Sequence, residues 1–186
     1  MKNMKQADVV IFGIQGAGKG TQGAILAEEK NLTIFETGRE LRKIRAEDSD
    51  LGRTVKGIMD RGDLVTNEIV MDIIANFLEN NAGKRILFDG MPRSLEQKKT
   101  FDALLKKYER TVEGIFLTIP RDEAITRMLE RGRADDTQEV IERRLGNYEQ
   151  ETLPVITQYQ DAGVVTEING MGEISEISKQ VIGSVS

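Results

Sequence analysis

Five short apolar runs punctuate the chain: Val9–Phe12, Leu32–Phe35, Arg85–Phe88, Gly114–Thr118 and Val164–Ile168. In the first, third and fourth the apolar residues are consecutive rather than alternating, the pattern of strands buried on both faces, as in a parallel sheet. Between them the spacing changes to the helical period. Leu51, Val55, Ile58 and Met59 share a face, as do Ile69, Val70, Ile73, Ile74 and Phe77, and near the end Ile174, Ile177, Val181 and Ile182. Ser94 with Gln97 and Asp136 with Glu139 have the spacing of capping boxes, and Pro120 stands where a strand gives way to a helix. Alternating strands and helices predict an α/β fold with a parallel sheet covered on both faces. Two helical stretches in succession between Thr37 and Glu79 break the alternation and predict a small helical insert after the second strand. There is no internal repeat and no low-complexity linker.

Composition narrows the chemistry. With 186 residues, 39% hydrophobic and 31% charged, the chain is expected to form one globular domain. The net charge of -5 argues against a general nucleic-acid binder, so any anion site must be a local basic cluster. No run is long enough to span a membrane, and the N-terminal residues lack the apolar core of a signal peptide. There are no cysteines and no histidines. That excludes disulfides, thiol nucleophiles, imidazole bases and an ordinary zinc site. A cytoplasmic location is expected, and a monomer, since no long apolar surface run suggests a dimer seam. Catalysis would have to use Lys, Arg, Asp, Glu, backbone amides and a hard metal ion.

The first apolar run feeds directly into Gly13-Ile14-Gln15-Gly16-Ala17-Gly18-Lys19-Gly20-Thr21. Glycines at this spacing let the backbone curl so that several N–H groups point at one polyanion, and the following helix adds the positive end of its dipole. Lys19 supplies a point charge for the terminal phosphates, and Thr21 a hydroxyl for bound Mg²⁺. A nucleoside triphosphate, or something close to it, is the predicted ligand.

Arginines recur just beyond the strands, where an open α/β sheet places its ligand crevice. They stand in Thr37-Gly38-Arg39-Glu40-Leu41-Arg42, in Asp89-Gly90-Met91-Pro92-Arg93, and in the run from Arg127 through Arg131-Gly132-Arg133 to Asp136, with Arg143 and Arg144 further on. The apolar run ending in Asp89 has the form of a Walker B element, whose carboxylate serves Mg²⁺. Arg127 and Arg131 lie four apart on one helix, and like charges there cost about 0.2–0.5 kcal/mol unless an anion sits between them. Each arginine also has a bland reading: Arg127 pairing with Glu123, Arg143 with Glu139 or Glu142, Asp136 merely capping a helix. Gathered beside a phosphate loop in an acidic chain, they favour a second phosphate group close to the first.

These motifs, together with Gly62-Asp63-Leu64-Val65, Arg143-Arg144-Leu145-x-x-Tyr148 and Thr152-x-Pro154, resemble the adenylate kinases over nearly the whole chain and in the same order. The resemblance implies a P-loop three-layer α/β/α fold with a five-stranded parallel sheet. It also implies a nucleoside monophosphate-binding insert at 37–79 and a minimal lid turn at 131–134. The implied activity is reversible transfer of the γ-phosphoryl of Mg-ATP to AMP, giving two ADP, with Mg²⁺ as cofactor and no zinc, nucleic acid or membrane partner. By position, the ATP residues would be Gly13, Gly16, Ala17, Gly18, Lys19, Gly20, Thr21, Arg127, Arg131, Gly170 and Met171. The AMP residues would be Thr37, Gly38, Arg42, Asp63, Leu64, Val65, Gly90, Arg93, Gln97, Arg133 and Arg144. Lys19, Arg93, Arg127, Arg131, Arg133, Arg144 and Asp89 would carry catalysis, with Thr21 and Asp89 serving the metal mainly through water. Thr37 and Gln97 would read the acceptor base and favour adenine.

The chain departs from the family pattern in three places. Only Gly132 separates Arg131 from Arg133, where most relatives carry a longer lid; Arg39 stands where an Asp near the metal waters is usual; and Gln15 and Thr66 replace common prolines. A UMP/CMP kinase of the same family and a catalytically weak ATP/AMP-binding module remain the alternative readings.

Overall fold

A computed structural model describes residues 7–132 and 137–186. In chain order, β1 (Asp8–Gly13) leads through the phosphate loop into α1 (Lys19–Lys30) and β2 (Thr33–Glu36). Three helices follow, α2 (Thr37–Arg45), α3 (Asp50–Asp60) and α4 (Asn67–Asn80), and then β3 (Ile86–Asp89), α5 (Leu95–Lys107) and β4 (Val112–Thr118). After these come α6 (Arg121–Arg131), α7 (Gln138–Asn147), a single π-helical turn at Tyr148–Thr152, α8 (Leu153–Asp161), β5 (Val165–Asn169) and α9 (Ile174–Gly183). The five strands form one sheet in the order β2-β3-β1-β4-β5, parallel at every pairing. The expected α/β class and all five strands are present, with bounds differing by one or two residues.

The insert contains three helices where the periodicity predicted two. The additional one, α2, is amphipathic but mostly polar, with Leu41 buried and Ile44 partly buried, so its two apolar positions make no repeat to read. The helical faces are also narrower than predicted. Val55, Ile74, Ile177 and Val181 are buried, whereas Leu51 and Ile174, in the first turns of α3 and α9, are exposed. Ser94 caps α5 as expected, accepting from Gln97 N at 3.2 Å. The cap of α7 is Thr137, which accepts from Val140 N; Asp136 lies outside the described residues.

The core is continuous, with Val9, Val10, Ile11, Ile86, Leu87, Phe88, Ile115 and Leu117 fully buried in the three central strands. Burial at about 1.5–3 kcal/mol per large side chain is what holds the sheet between its helical layers. The strand beginnings are fastened by charge. Asp8, 3% exposed, accepts two bonds from Arg110 Nη1 at 2.8 and 2.9 Å and one from Ile86 N at 2.8 Å. Arg85 ties Ala7 O, Glu113 and Ser186 O together beside it. These pairs fix the end of the sheet opposite the strand C-termini, leaving the other end to open into a cleft.

Candidate active site

The cleft at the strand C-termini has a volume of about 420 Å³. One wall is the phosphate loop. Its first residue, Gly13, has φ +152°, and a Cβ there would meet Leu117 O at 2.7 Å, so the turn out of β1 requires glycine. Gly18 closes the loop as the N-cap of α1, aiming the helix terminus into the cleft. Lys19 Nζ folds back on the loop and donates to Gly13 O at 2.7 Å and Ile14 O at 3.0 Å. Withdrawal from water lowers its pKa to about 8; Asp89 acts against that fall, and Arg93 and Arg131 add to it. A polyphosphate would offer Lys19 anionic oxygens in place of two neutral carbonyls.

The turn after β5 packs against the loop; Gly170 and Met171, like Gly13 and Ala17, are not among the residues lining the cleft. Gly170 N donates to Thr118 O at 2.8 Å, and a Cβ on Gly170 would press on Ala17 O at 3.2 Å. Arg127 joins the two pieces. Its Nε donates to Glu123 at 2.6 Å, while the fork reaches Gly16 O at 3.4 Å, Gly170 O at 3.5 Å and Met171 Sδ at 3.5 Å. The bland pairing with Glu123 and the place on the cleft are therefore both real. Arg131, the last residue of α6, also lines the cleft. Arg133 lies outside the described residues.

The opposite wall is built from side chains. Arg42 donates to Glu36 at 2.7 Å. Arg93 donates from Nε to Gly90 O at 2.6 Å; its own N–H donates to Gln97 Oε1 at 2.9 Å, and its carbonyl accepts from Thr152 at 2.9 Å. Burial lowers the Arg93 pKa, with Asp89 opposing and Arg144 and Arg42 adding to the fall. Arg144 lines the cleft beside it. Asp89, 9% exposed, ends β3 in register with Glu36 at the end of β2. Gly38, Leu41, Met59, Gly62, Asp63, Leu64 and Val65 complete this side.

Thr37 and Gln97 are not on the cleft surface. Both are buried, with Thr37 donating to Asp89 O at 3.3 Å and Gln97 holding the Arg93 backbone. Arg39 faces away; it donates to Ile34 O at 3.0 Å and to Glu40 at 3.3 Å. Arg143 pairs with Asp63 at 3.2 Å rather than with Glu139 or Glu142, and Glu142 is taken by Arg121 at 2.6 Å. The sequence reading missed Glu36 and Asn147, and it quoted Thr152 only as part of a family motif, without a site role. Glu36 is the residue before the Thr37 motif, but its register with Asp89 is a property of the sheet. Asn147 donates to Gly62 O at 3.0 Å across 85 positions, which no local pattern reveals.

Among the described residues no group of three acidic, His or Cys side chains forms a metal cage. One carboxylate, Asp89, and the Thr21 hydroxyl, on a cleft shaped for phosphates, suit a Mg²⁺ that keeps several waters and takes its remaining oxygens from nucleotide.

A parallel sheet ending in a phosphate loop, faced across one cleft by convergent guanidiniums, defines a nucleotide-binding phosphotransferase of the P-loop class. Comparison with known proteins narrows the class. The sequence profile described as "Adenylate kinase" matches residues 11–164. The adenylate kinase of Hyphomonas neptunium is 39% identical over 183 residues, covering 94% of this chain and 95% of its own length. That of Prochlorococcus marinus is 38% identical over 171 residues (91% and 92%), and that of a Caulobacter species 35% over 185 (96% and 98%). The chain belongs to the adenylate kinase family.

Proposed function

We propose that the cleft carries out the family reaction, ATP + AMP ⇌ 2 ADP, with the phosphate loop holding the donor and the wall of Arg42, Arg93 and Arg144 holding the acceptor phosphate. The single observation behind this reading is the gathering of Lys19, Arg42, Arg93, Arg127, Arg131 and Arg144 around one cleft in a chain of net charge -5. Binding one nucleotide does not need so many cations; aligning two polyanions does.

The acceptor is already anionic, so no general base is needed, consistent with a chain that has no histidine. Catalysis is alignment plus neutralisation of charge on the equatorial oxygens. The loop amides and Lys19 fix the donor β- and γ-phosphates. Arg93, held at its N–H by Gln97 and at its carbonyl by Thr152, presents a preset guanidinium to the acceptor phosphate and the passing phosphoryl group. Arg127, Arg131 and Arg144 add charge from the α6–α7 side, and the family resemblance assigns Arg133 a bridging role with Arg144. Thr21 and Asp89 would hold Mg²⁺, mainly through water, and the ion would supply neutralisation of phosphate charge.

Asp63, Leu64 and Val65 with Gly38 form the acceptor-base wall, and Thr37 and Gln97 shape it from behind. The donor base rests on the Gly170–Met171 backbone. Residues 37–79 act as the acceptor-side flap and 131–134 as a minimal lid. No described helix is long and apolar enough to cross a membrane. The large exposed apolar residues Leu51, Leu95, Leu129, Met171 and Ile174 are dispersed along the chain rather than gathered in one run, and the working form is read as a monomer.

A coupled assay of ADP formation with and without Mg²⁺, comparing AMP, CMP, UMP and GMP as acceptors, tests the reading. Mg²⁺-dependent turnover with AMP preferred is expected. A pyrimidine preference would overturn the base assignment, and binding without turnover would overturn the enzyme.

A further inference from the structure

Gln15 lies in the phosphate loop at a position where the family commonly carries proline, and it lines the cleft. Its amide oxygen is buried and has no hydrogen-bond partner among the described residues. Such an orphaned carbonyl carries a free-energy penalty in the empty protein, one a proline would avoid. The other buried side-chain oxygen without a partner, on Asn67, lies where α4 meets α5 and outside the cleft, its amide nitrogen bonded to Thr100. Of the two, only Gln15 belongs to a residue that lines the cleft.

The chemistry of the arriving groups restricts what it meets. Phosphate oxygens accept and do not donate, so they cannot satisfy a carbonyl. The charged donors beside the loop are the Lys19 ammonium, which serves Gly13 O and Ile14 O and is the group the donor phosphates claim, and guanidinium N–H groups. Arg127 reaches the adjoining loop residue: its Nη1 makes stretched contacts with Gly16 O at 3.4 Å and Gly170 O at 3.5 Å. The α6 segment carrying Arg127 abuts the loop at that point, since a Cβ on Gly16 would touch Arg127 Cβ at 3.4 Å.

We propose that Gln15 is a positioning residue for phosphoryl transfer. Its amide oxygen accepts an N–H from Arg127 in the loaded cleft, turning that guanidinium from the loop carbonyls onto the donor phosphates. The assignment rests on the reading of the cleft as a two-nucleotide phosphotransferase site.

The test uses the full chain with Gln15→Met, close in volume and without an acceptor, alone and in an Arg127→Ala background. Removing the orphan should raise the thermal midpoint of the ligand-free protein by about 2–4 °C. The same substitution should weaken binding of diadenosine pentaphosphate with Mg²⁺ by about tenfold and lower kcat comparably, because it removes a hydrogen bond to a charged group. KM for AMP should stay unchanged. In the Arg127→Ala background Gln15→Met should have no further effect on either. Wild-type affinity and kcat in Gln15→Met, or equal losses in both backgrounds, would overturn the proposal while leaving the phosphotransferase reading intact. A wild-type chain that fails to bind the two-headed inhibitor would overturn both.

Discussion

The two walls of the cleft are made differently. The donor wall is main chain: loop amides, the α1 terminus, carbonyls that hold Lys19, and a β5–α9 turn pressed against the loop. The acceptor wall is side chain: Arg42 on Glu36, Arg93 clasped by Gln97 and Thr152, and the Gly62–Asp63 turn held from α7 by Asn147 and Arg143. A backbone wall depends on glycines at fixed spacing and has little freedom to rearrange. A side-chain wall depends on partners far apart in sequence, several of them partly exposed ion pairs of small individual worth. The donor phosphates therefore meet a nearly preset site, while the acceptor side has contacts to exchange when its ligand arrives.

The largest expected effect lies on the donor wall. Lys19→Ala should lower kcat by about 100- to 1,000-fold, as loss of a charge acting on the transferring group does. The folded state should be retained, because Lys19 contacts only loop carbonyls, and circular dichroism checks that in parallel with the ADP-forming assay.

Next comes pH. With Lys19 near 8 in the free protein, nucleotide phosphates must raise its pKa, so binding takes up a proton. Affinity for a non-hydrolysable ATP analogue should fall about fivefold from pH 8 to pH 9. Calorimetry in buffers of different ionisation enthalpy should report the uptake, and Lys19→Met should abolish it. For the empty protein the sign reverses. A lysine lowered from 10.5 to about 8 disfavours the folded state while charged, so stability is gained as pH rises from about 8 towards 10.5.

Smaller effects sharpen the acceptor side. Asn147→Ala should raise KM for AMP about fourfold through loss of its bond to the Gly62 turn, with KM for ATP unchanged. Glu36→Gln removes the carboxylate that occupies Arg42 and should lower KM for AMP about twofold. Steady-state kinetics with each substrate varied separately reads both, and equal shifts for donor and acceptor would erase the distinction between the walls.

The same division governs what the sequence discloses. Strands buried on both faces appear as unbroken apolar runs, and the loop as glycine spacing, because local geometry demands those residues. The arginines are visible as residues but not as partners. Arg39 looks available for phosphate and is tied to Ile34 O; Arg143 looks matched to its own helix and crosses to Asp63. Thr37 and Gln97, which the family resemblance places at the acceptor base, are buried behind the wall and hold Asp89 O and Arg93 N. Helix α2 escaped the hydrophobic period because its burial rests on Leu41 with little apolar support. What was illegible is long-range pairing, which depends on sheet order and on α7 crossing to the insert rather than on any run of neighbours.

Isothermal titration with diadenosine pentaphosphate and Mg²⁺ tests the central claim most directly. One molecule per chain, abolishing the binding of both AMP and an ATP analogue, is the predicted result. A ligated protein that still binds either mononucleotide would contradict a single cleft shared end to end.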